Sequence, residues 1–152
     1  MNATRSTMNA PHEVLVAVDG SEAARRALRF AIELARRAPG MTLHLLTVRP
    51  APIVYGEVEV YLGRERAAAL GAERASEILT PLLSELSAAD VPFDSESIEG
   101  DIVETIARRC RELGCGQVIM GTHGRSRAAN AVLGSIAAGV VHRVDVPVTL
   151  VR

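Results

Sequence analysis

Residues Val118 to Ile136 read VIMGTHGRSRAANAVLGSI. The apolar run Val118-Ile119-Met120 has the character of a short buried strand. Gly121 follows it, then Gly124, then nine residues, then Gly134-Ser135 opening an apolar, helix-like segment. Glycines at a strand end let backbone N–H groups approach a ligand with no Cβ in the way. A helix that begins at Gly134-Ser135 adds unpaired N–H groups and the positive end of a dipole, both suited to an anion. A side chain at Gly124 would occupy that space or meet a positive φ. The stretch reads as a phosphate cradle between a strand and a helix.

Upstream of it, Val14-Leu15-Val16-Ala17-Val18 is a continuous apolar run ending in Asp19-Gly20-Ser21. Strands apolar on both faces belong in sheets covered on both sides, which favours a parallel α/β arrangement. Ser21 can cap the next helix, with Glu22 in its first turn. Ala24, Leu28, Ala31 and Ala35 recur at helical spacing, widened by Ala27, Ile32 and Leu34. Glu22–Arg26 and Glu33–Arg37 stand four apart on the other side, and Pro39-Gly40 ends the helix. Residues 42–48, TLHLLTV, form a second strand in which His44 is read as a core or sheet-face histidine. The segment 49–65, RPAPIVYGEVEVYLGRE, reads as a loop beside the ligand cleft or a subunit contact.

A long helix is expected from about Arg64 to Ala89, striped by Leu79, Leu82, Leu83 and Leu86 and bent or split at Pro81. Residues 91–98 make a weaker third strand. Asp101 with Glu104 starts another helix, buried along Ile102, Ile106, Cys110 and Leu113. A fourth strand covers 117–120, a fourth helix runs from Gly134 to about Arg143, and a fifth strand covers 146–151. Five strands alternating with four helices make a doubly wound α/β unit. Residues 1–12 are polar and aperiodic, a flexible tail ahead of one domain at 13–152.

Composition removes several chemistries. All 17 basic residues are arginine, so neither a P-loop lysine nor a Schiff base is available. Cys110 and Cys115 lack the spacing and partners of a zinc site and read as core thiols, with a redox role the alternative. A net charge of −1 offers no general attraction to nucleic acid or anionic lipid. No apolar run has the length of a membrane span, and the first residues lack a secretory apolar centre, so cytoplasm is the expected compartment.

The spacing Gly121-x2-Gly124-x9-Gly134-Ser135 resembles the nucleotide signature of the universal stress protein family, in its ATP-binding branch. VLVAVDGSEAA (14–24), EGDIVETI (99–106) and VPVTLVR (146–152) fall in that family's order and at its distances, so the likeness runs from His12 to Arg152. It implies a Rossmann-like, adenine nucleotide alpha-hydrolase-like parallel sheet in order 3-2-1-4-5. It also implies ATP, with Mg²⁺ where present, and a homodimer paired through strand 146–151. The implied site comprises Ala17, Val18, Asp19, Val48, Met120, Gly121, His123, Gly124, Arg125, Gly134, Ser135 and Ile136. No catalytic and no metal-ligating residue is implied.

Within that set, Asp19 is suited to ribose hydroxyls or to a plain turn. Val48 matches a main-chain adenine contact while remaining a core valine. Gly121, Gly124, Gly134 and Ser135 would hold phosphates through N–H groups and one hydroxyl. Arg125 and Arg127 can neutralise phosphate or stand as surface arginines; His123 can reach a terminal phosphate or stay solvated. The expected role is a nucleotide-responsive stress or signalling module with an unknown protein partner. The alternatives are a slow ATPase or nucleotidyl-transfer enzyme on the same fold, and a nucleotide-free interaction protein.

Overall fold

The computed structural model describes residues 13–51, 59–124 and 133–152. Its elements follow in the order β1 (Glu13–Ala17), α1 (Glu22–Arg37), β2 (Thr42–Arg49), α2 (Glu59–Ala89), β3 (Phe93–Glu99), α3 (Ile102–Glu112), β4 (Gln117–Gly121), α4 (Ser135–Arg143) and β5 (Val148–Val151). All strand pairs are parallel, in the order β3-β2-β1-β4-β5. The expected order and element count are therefore observed. Residues 1–12, 125–132 and residues 52–58 of the 49–65 segment, which were read as tail, cradle and loop, lie outside the described residues.

Alternation along β1 explains why its run is apolar throughout. Val14 and Val16 pack with α1 and the C-terminal half of α2, whereas Leu15 and Ala17 pack with α3 and α4. Helix α1 buries Ala24, Ala27, Leu28, Ala31, Ile32 and Ala35, the expected stripe, and adds Ala23. Ser21 caps it by accepting from the Ala24 N–H at 3.1 Å, and Asp101 caps α3 by accepting from the Glu104 N–H at 2.9 Å. Two details of α1 differ from expectation. Glu33 pairs with Arg36, three residues on, and Arg26 Nε donates to the Arg152 backbone oxygen.

Helix α2 corrects its expected start and removes one of the two readings of Pro81, the split. It begins at Glu59 rather than near Arg64, and it runs through Pro81 without splitting. Gly63 belongs to the segment that was read as a loop, yet a glycine inside a helix costs only about 1 kcal/mol. Pro81 is exposed, so water can satisfy the carbonyl left without its helical donor, while buried Leu82 and Leu86 hold the last turns on the core. Strand β3 starts two residues late because Val91 is buried in the preceding turn and Pro92 has no N–H to enter a ladder.

His44 lies on the sheet face shared with α3, 8% exposed, between two carboxylates on neighbouring strands. Its Nε2 contacts Glu13 Oε2 at 2.5 Å and its Nδ1 contacts Asp94 Oδ1 at 2.8 Å. A ring that donates from both nitrogens is an imidazolium. Burial pushes the His44 pKa down, but the hydrogen bonds it donates to Glu13 and Asp94 outweigh this and the net shift is upward. The folded state therefore holds the proton more tightly than the unfolded chain. This stabilisation is complete below about pH 6.5, the unfolded histidine value, and is lost as pH rises through the raised folded value. The expected loss is on the order of 1 kcal/mol once the exposure of Asp94 is allowed for. Melting temperature measured from pH 6 to 9 should fall for the wild type and stay flatter for His44→Gln.

Both cysteines are buried free thiols. Burial, with smaller contributions from Cys110, Glu13 and Asp94, pushes Cys115 up to about 12, and Cys110 is shifted upward by burial too. Thiols so placed stay protonated and unreactive, as core residues do.

Candidate functional site

The strand order reverses between β1 and β4, and ligands of open α/β sheets bind beyond the carboxyl ends of strands at such a reversal. A cleft of about 1390 Å³ opens there. It exceeds the roughly 300–1,000 Å³ of most small-molecule sites, so a nucleotide fits with room to spare. Of the twelve residues expected at the site, Ala17, Val18, Asp19, Val48, Met120, Gly121, His123, Gly124, Gly134, Ser135 and Ile136 all line this one cleft. Arg125, like Arg127, lies outside the described residues.

Asp19 serves the turn and the cleft at once. Gly20 takes φ 82°, a left-handed turn that glycine allows, and the Ser21 N–H donates to Asp19 Oδ1 at 3.0 Å. The other oxygen, Oδ2, faces Gly124: a Cβ added to Gly124 would stand 2.6 Å from it. Among the described residues the positive-φ glycines are Gly20, Gly40, Gly100 and Gly114, so Gly124 is required for space and not for a left-handed backbone. That corrects half of the expectation for this position.

Gly121 is held to glycine by packing. A Cβ there would lie 2.8 Å from Ala23 Cβ and 2.9 Å from the Ala23 carbonyl carbon, because β4 ends hard against the start of α1. The Gly134 amide is a further correction. Its N–H donates to the Thr122 carbonyl at 2.8 Å and so is not offered to a phosphate. The bond ties the start of α4 to the end of β4. Helix α4 has no capping side chain, and Ala138 is the first N–H to bond back, to Gly134 O at 3.0 Å. The donors presented at this helix start are thus those of Ser135 and the residues after it, beside the glycine. His123 half-lines the cleft with Nδ1 3.2 Å from Thr122 Oγ1, and its carbonyl accepts from the Ser21 hydroxyl at 3.4 Å.

The cleft also takes in Thr47, Arg49, Leu70, Arg74 and Ile78, which sequence reasoning had not singled out. The available signal was the helical spacing of 67, 70, 71, 74 and 78, missed because those positions were judged only by helix content. Among the described residues no group of three or more His, Cys, Asp or Glu could hold a metal ion. A magnesium ion needs no such cage: it takes one or two carboxylates together with phosphate oxygens. Asp19 beside the Gly124 gap fits that mode. No described helix is long and apolar enough to cross a membrane.

Fold and cleft together define a class, the doubly wound α/β proteins that hold ligands at a strand-order reversal. The universal stress protein family profile matches residues 11–152, and the chain belongs to that family. No match was found among curated proteins. UspA from Lactobacillus plantarum has the same fold at 21% identity, TM-score 0.84, over 95% of this chain and 100% of that chain. The protein MJ0577 matches at 23% identity, TM-score 0.81, over 92% and 94%. A universal stress family protein from Burkholderia pseudomallei matches at 25% identity, TM-score 0.72, over 92% and 95%. Universal stress proteins sharing the fold have been solved with cAMP (TM-score 0.65), with dAMP from Archaeoglobus fulgidus (0.67) and with AMP from Arabidopsis thaliana (0.60).

Proposed function

We propose that this protein binds an adenine nucleotide, ATP foremost, as a nucleotide-responsive stress or signalling module of the cytoplasm. The observation that carries the reading is the meeting of three features at the β1/β4 reversal: the Asp19 carboxylate, the side-chain-free gap at Gly124 and the uncapped start of α4. Phosphates would lie against the Ser135 end of α4, where N–H groups and the dipole favour negative charge. The ribose would lie at Asp19 and the base toward Val48. Mg²⁺, when bound, would neutralise phosphate charge beside Asp19. The cAMP, dAMP and AMP complexes of other family members support an adenine ligand and make AMP a necessary comparison with ATP. We further propose that the active form is a homodimer joined along β5.

Calorimetric titration with ATP, AMP and inorganic triphosphate tests the nucleotide assignment. Wild type should bind ATP. In Mg²⁺-free buffer, Asp19→Ala should weaken ATP about tenfold, on the order of 1.4 kcal/mol, yet scarcely alter triphosphate, which has no ribose. Wild-type protein that binds none of the adenine nucleotides would leave the nucleotide-free interaction protein as the better reading.

A further inference from the structure

Helix α2 presents one continuous face over two different surroundings. Ala67, Leu70, Gly71, Arg74, Ala75 and Ile78 recur at spacings of three, one, three, one and three, and all line the cleft. Beyond Ile78 the same face continues through Leu82 and Leu86, which are 3% and 0% exposed in the core beneath α1. Before Ala75 the burial stops. From residue 65 to 74 only Ala67 and Gly71 are even half-covered, and Leu70 is 63% exposed. A lone exposed leucine needs no explanation on an open surface. This one continues a core stripe and looks into the cleft that holds Asp19, Gly124 and Ser135.

The far end of that wall is closed by Arg49. Its side chain crosses α2 at Gly71, where an added Cβ would stand 2.9 Å from Nη1. Nε donates to Ser97 Oγ at 3.1 Å and Nη1 lies 3.5 Å from Glu99 Oε2, so the guanidinium is anchored on β3. The same cleft is lined by Val48 at the end of β2 and by Ala17 and Val18 at the end of β1. The anion end lies on the other side of β1, at β4 and α4, two strand spacings or roughly 10 Å from β2.

We infer that the N-terminal half of α2 is the outer wall of a nucleobase subsite, with Leu70 the side chain that covers the base. The inference rests on the nucleotide reading above and deepens it. A flat heterocycle with apolar faces and a polar edge suits a cleft whose lining includes both Val48 and Leu70, and its binding would remove the exposed leucine surface from water. Leu70 is then a specificity determinant for a base-bearing ligand over a bare polyphosphate.

The test compares ATP with inorganic triphosphate by calorimetry, alongside amide hydrogen exchange of residues 65–74. Leu70→Asp should weaken ATP at least about tenfold while triphosphate binds as to wild type. Leu70→Met, which restores an apolar side chain, should recover most of the ATP affinity. ATP, and not triphosphate, should slow exchange across 65–74. Leu70→Asp that binds ATP like wild type, or that loses ATP and triphosphate equally, overturns the wall. So does a changed solution mass of Leu70→Asp with unchanged ATP binding, which would make this face a protein contact. If ATP binding is present and lost in Gly124→Val but kept in Leu70→Asp, only this inference falls. If wild type binds no adenine nucleotide, the nucleotide reading falls and takes the wall with it.

Discussion

Gly124→Val is expected to weaken ATP binding by at least about tenfold, on the order of 1.4 kcal/mol, with circular dichroism and melting close to wild type. A single Cβ at this position would already stand 2.6 Å from Asp19 Oδ2, and valine adds two methyl groups to it. The substitution therefore fills the gap between the carboxylate and the loop, where ribose and phosphate would meet. Gly124 itself is exposed and outside the two apolar layers, so the core has no reason to respond. Gly134→Val with Ser135→Ala attacks the other side of the cradle. A Cβ at Gly134 would press 3.0 Å from the Thr122 carbonyl, displacing the bond that positions α4, and the alanine removes the hydroxyl. Gly121 is unsuitable for the same experiment, since a side chain there collides with the α1 backbone and tests folding instead. Titration of ATP decides the matter. If Gly124→Val and the double variant both bind ATP as wild type does, the glycine spacing is turn chemistry alone.

The buried elements were legible because their surroundings are uniform. β1 and β4 are covered on both faces, so an apolar run reports them directly; β2 is covered likewise, its run interrupted by His44 and Thr47. α1 shows a complete stripe because one side meets the sheet and the other meets water. The edges were harder. β3 carries Asp94, Glu96 and Glu99, charges that suit an edge strand and blur its period. The start of α2 was hidden by Gly63 and by a first half whose inner face meets a cleft instead of a core. Strand order is a long-range property that no local pattern carries, and it was available only through resemblance. At the site, spacing identified which glycines mattered but not why. Three of them now separate by cause: packing at Gly121, space at Gly124, and a backbone bond from Gly134 to Thr122. None of those causes is a feature of spacing.

Leu150→Asp is expected to convert a dimer into a monomer, read as a halving of the solution mass by light scattering toward the 16.2 kDa of one chain. β5 is an edge strand, and its four residues are all only half-buried, unlike the closed interior of β1. Its ladder to β4 uses the carbonyls of Pro147 and Val151, which accept from the Val118 and Thr122 N–H groups at 3.0 and 2.8 Å. Alternation along a parallel strand then turns the N–H and C=O of Val148 and Leu150 toward the open edge. Unpaired groups of that kind invite a second strand. Apolar surface flanks the edge on both layers. Phe30, 44% exposed, stands one turn after Arg26 on α1, and Arg26 itself reaches the Arg152 backbone. Val141 of α4 is 43% exposed on the other layer, which also contacts β5. Two-fold pairing of identical edges would cover all of these at once, which is the symmetry most homo-oligomers use. Because Leu150 also packs toward α4, the aspartate could act by loosening the fold, so Leu150→Pro is the companion variant. It keeps an apolar side chain and deletes only the outward N–H, leaving the ladder to β4 intact. A monomeric mass for wild type at every concentration would remove the dimer. Folded Asp and Pro variants that both stay dimeric would place the contact elsewhere than β5.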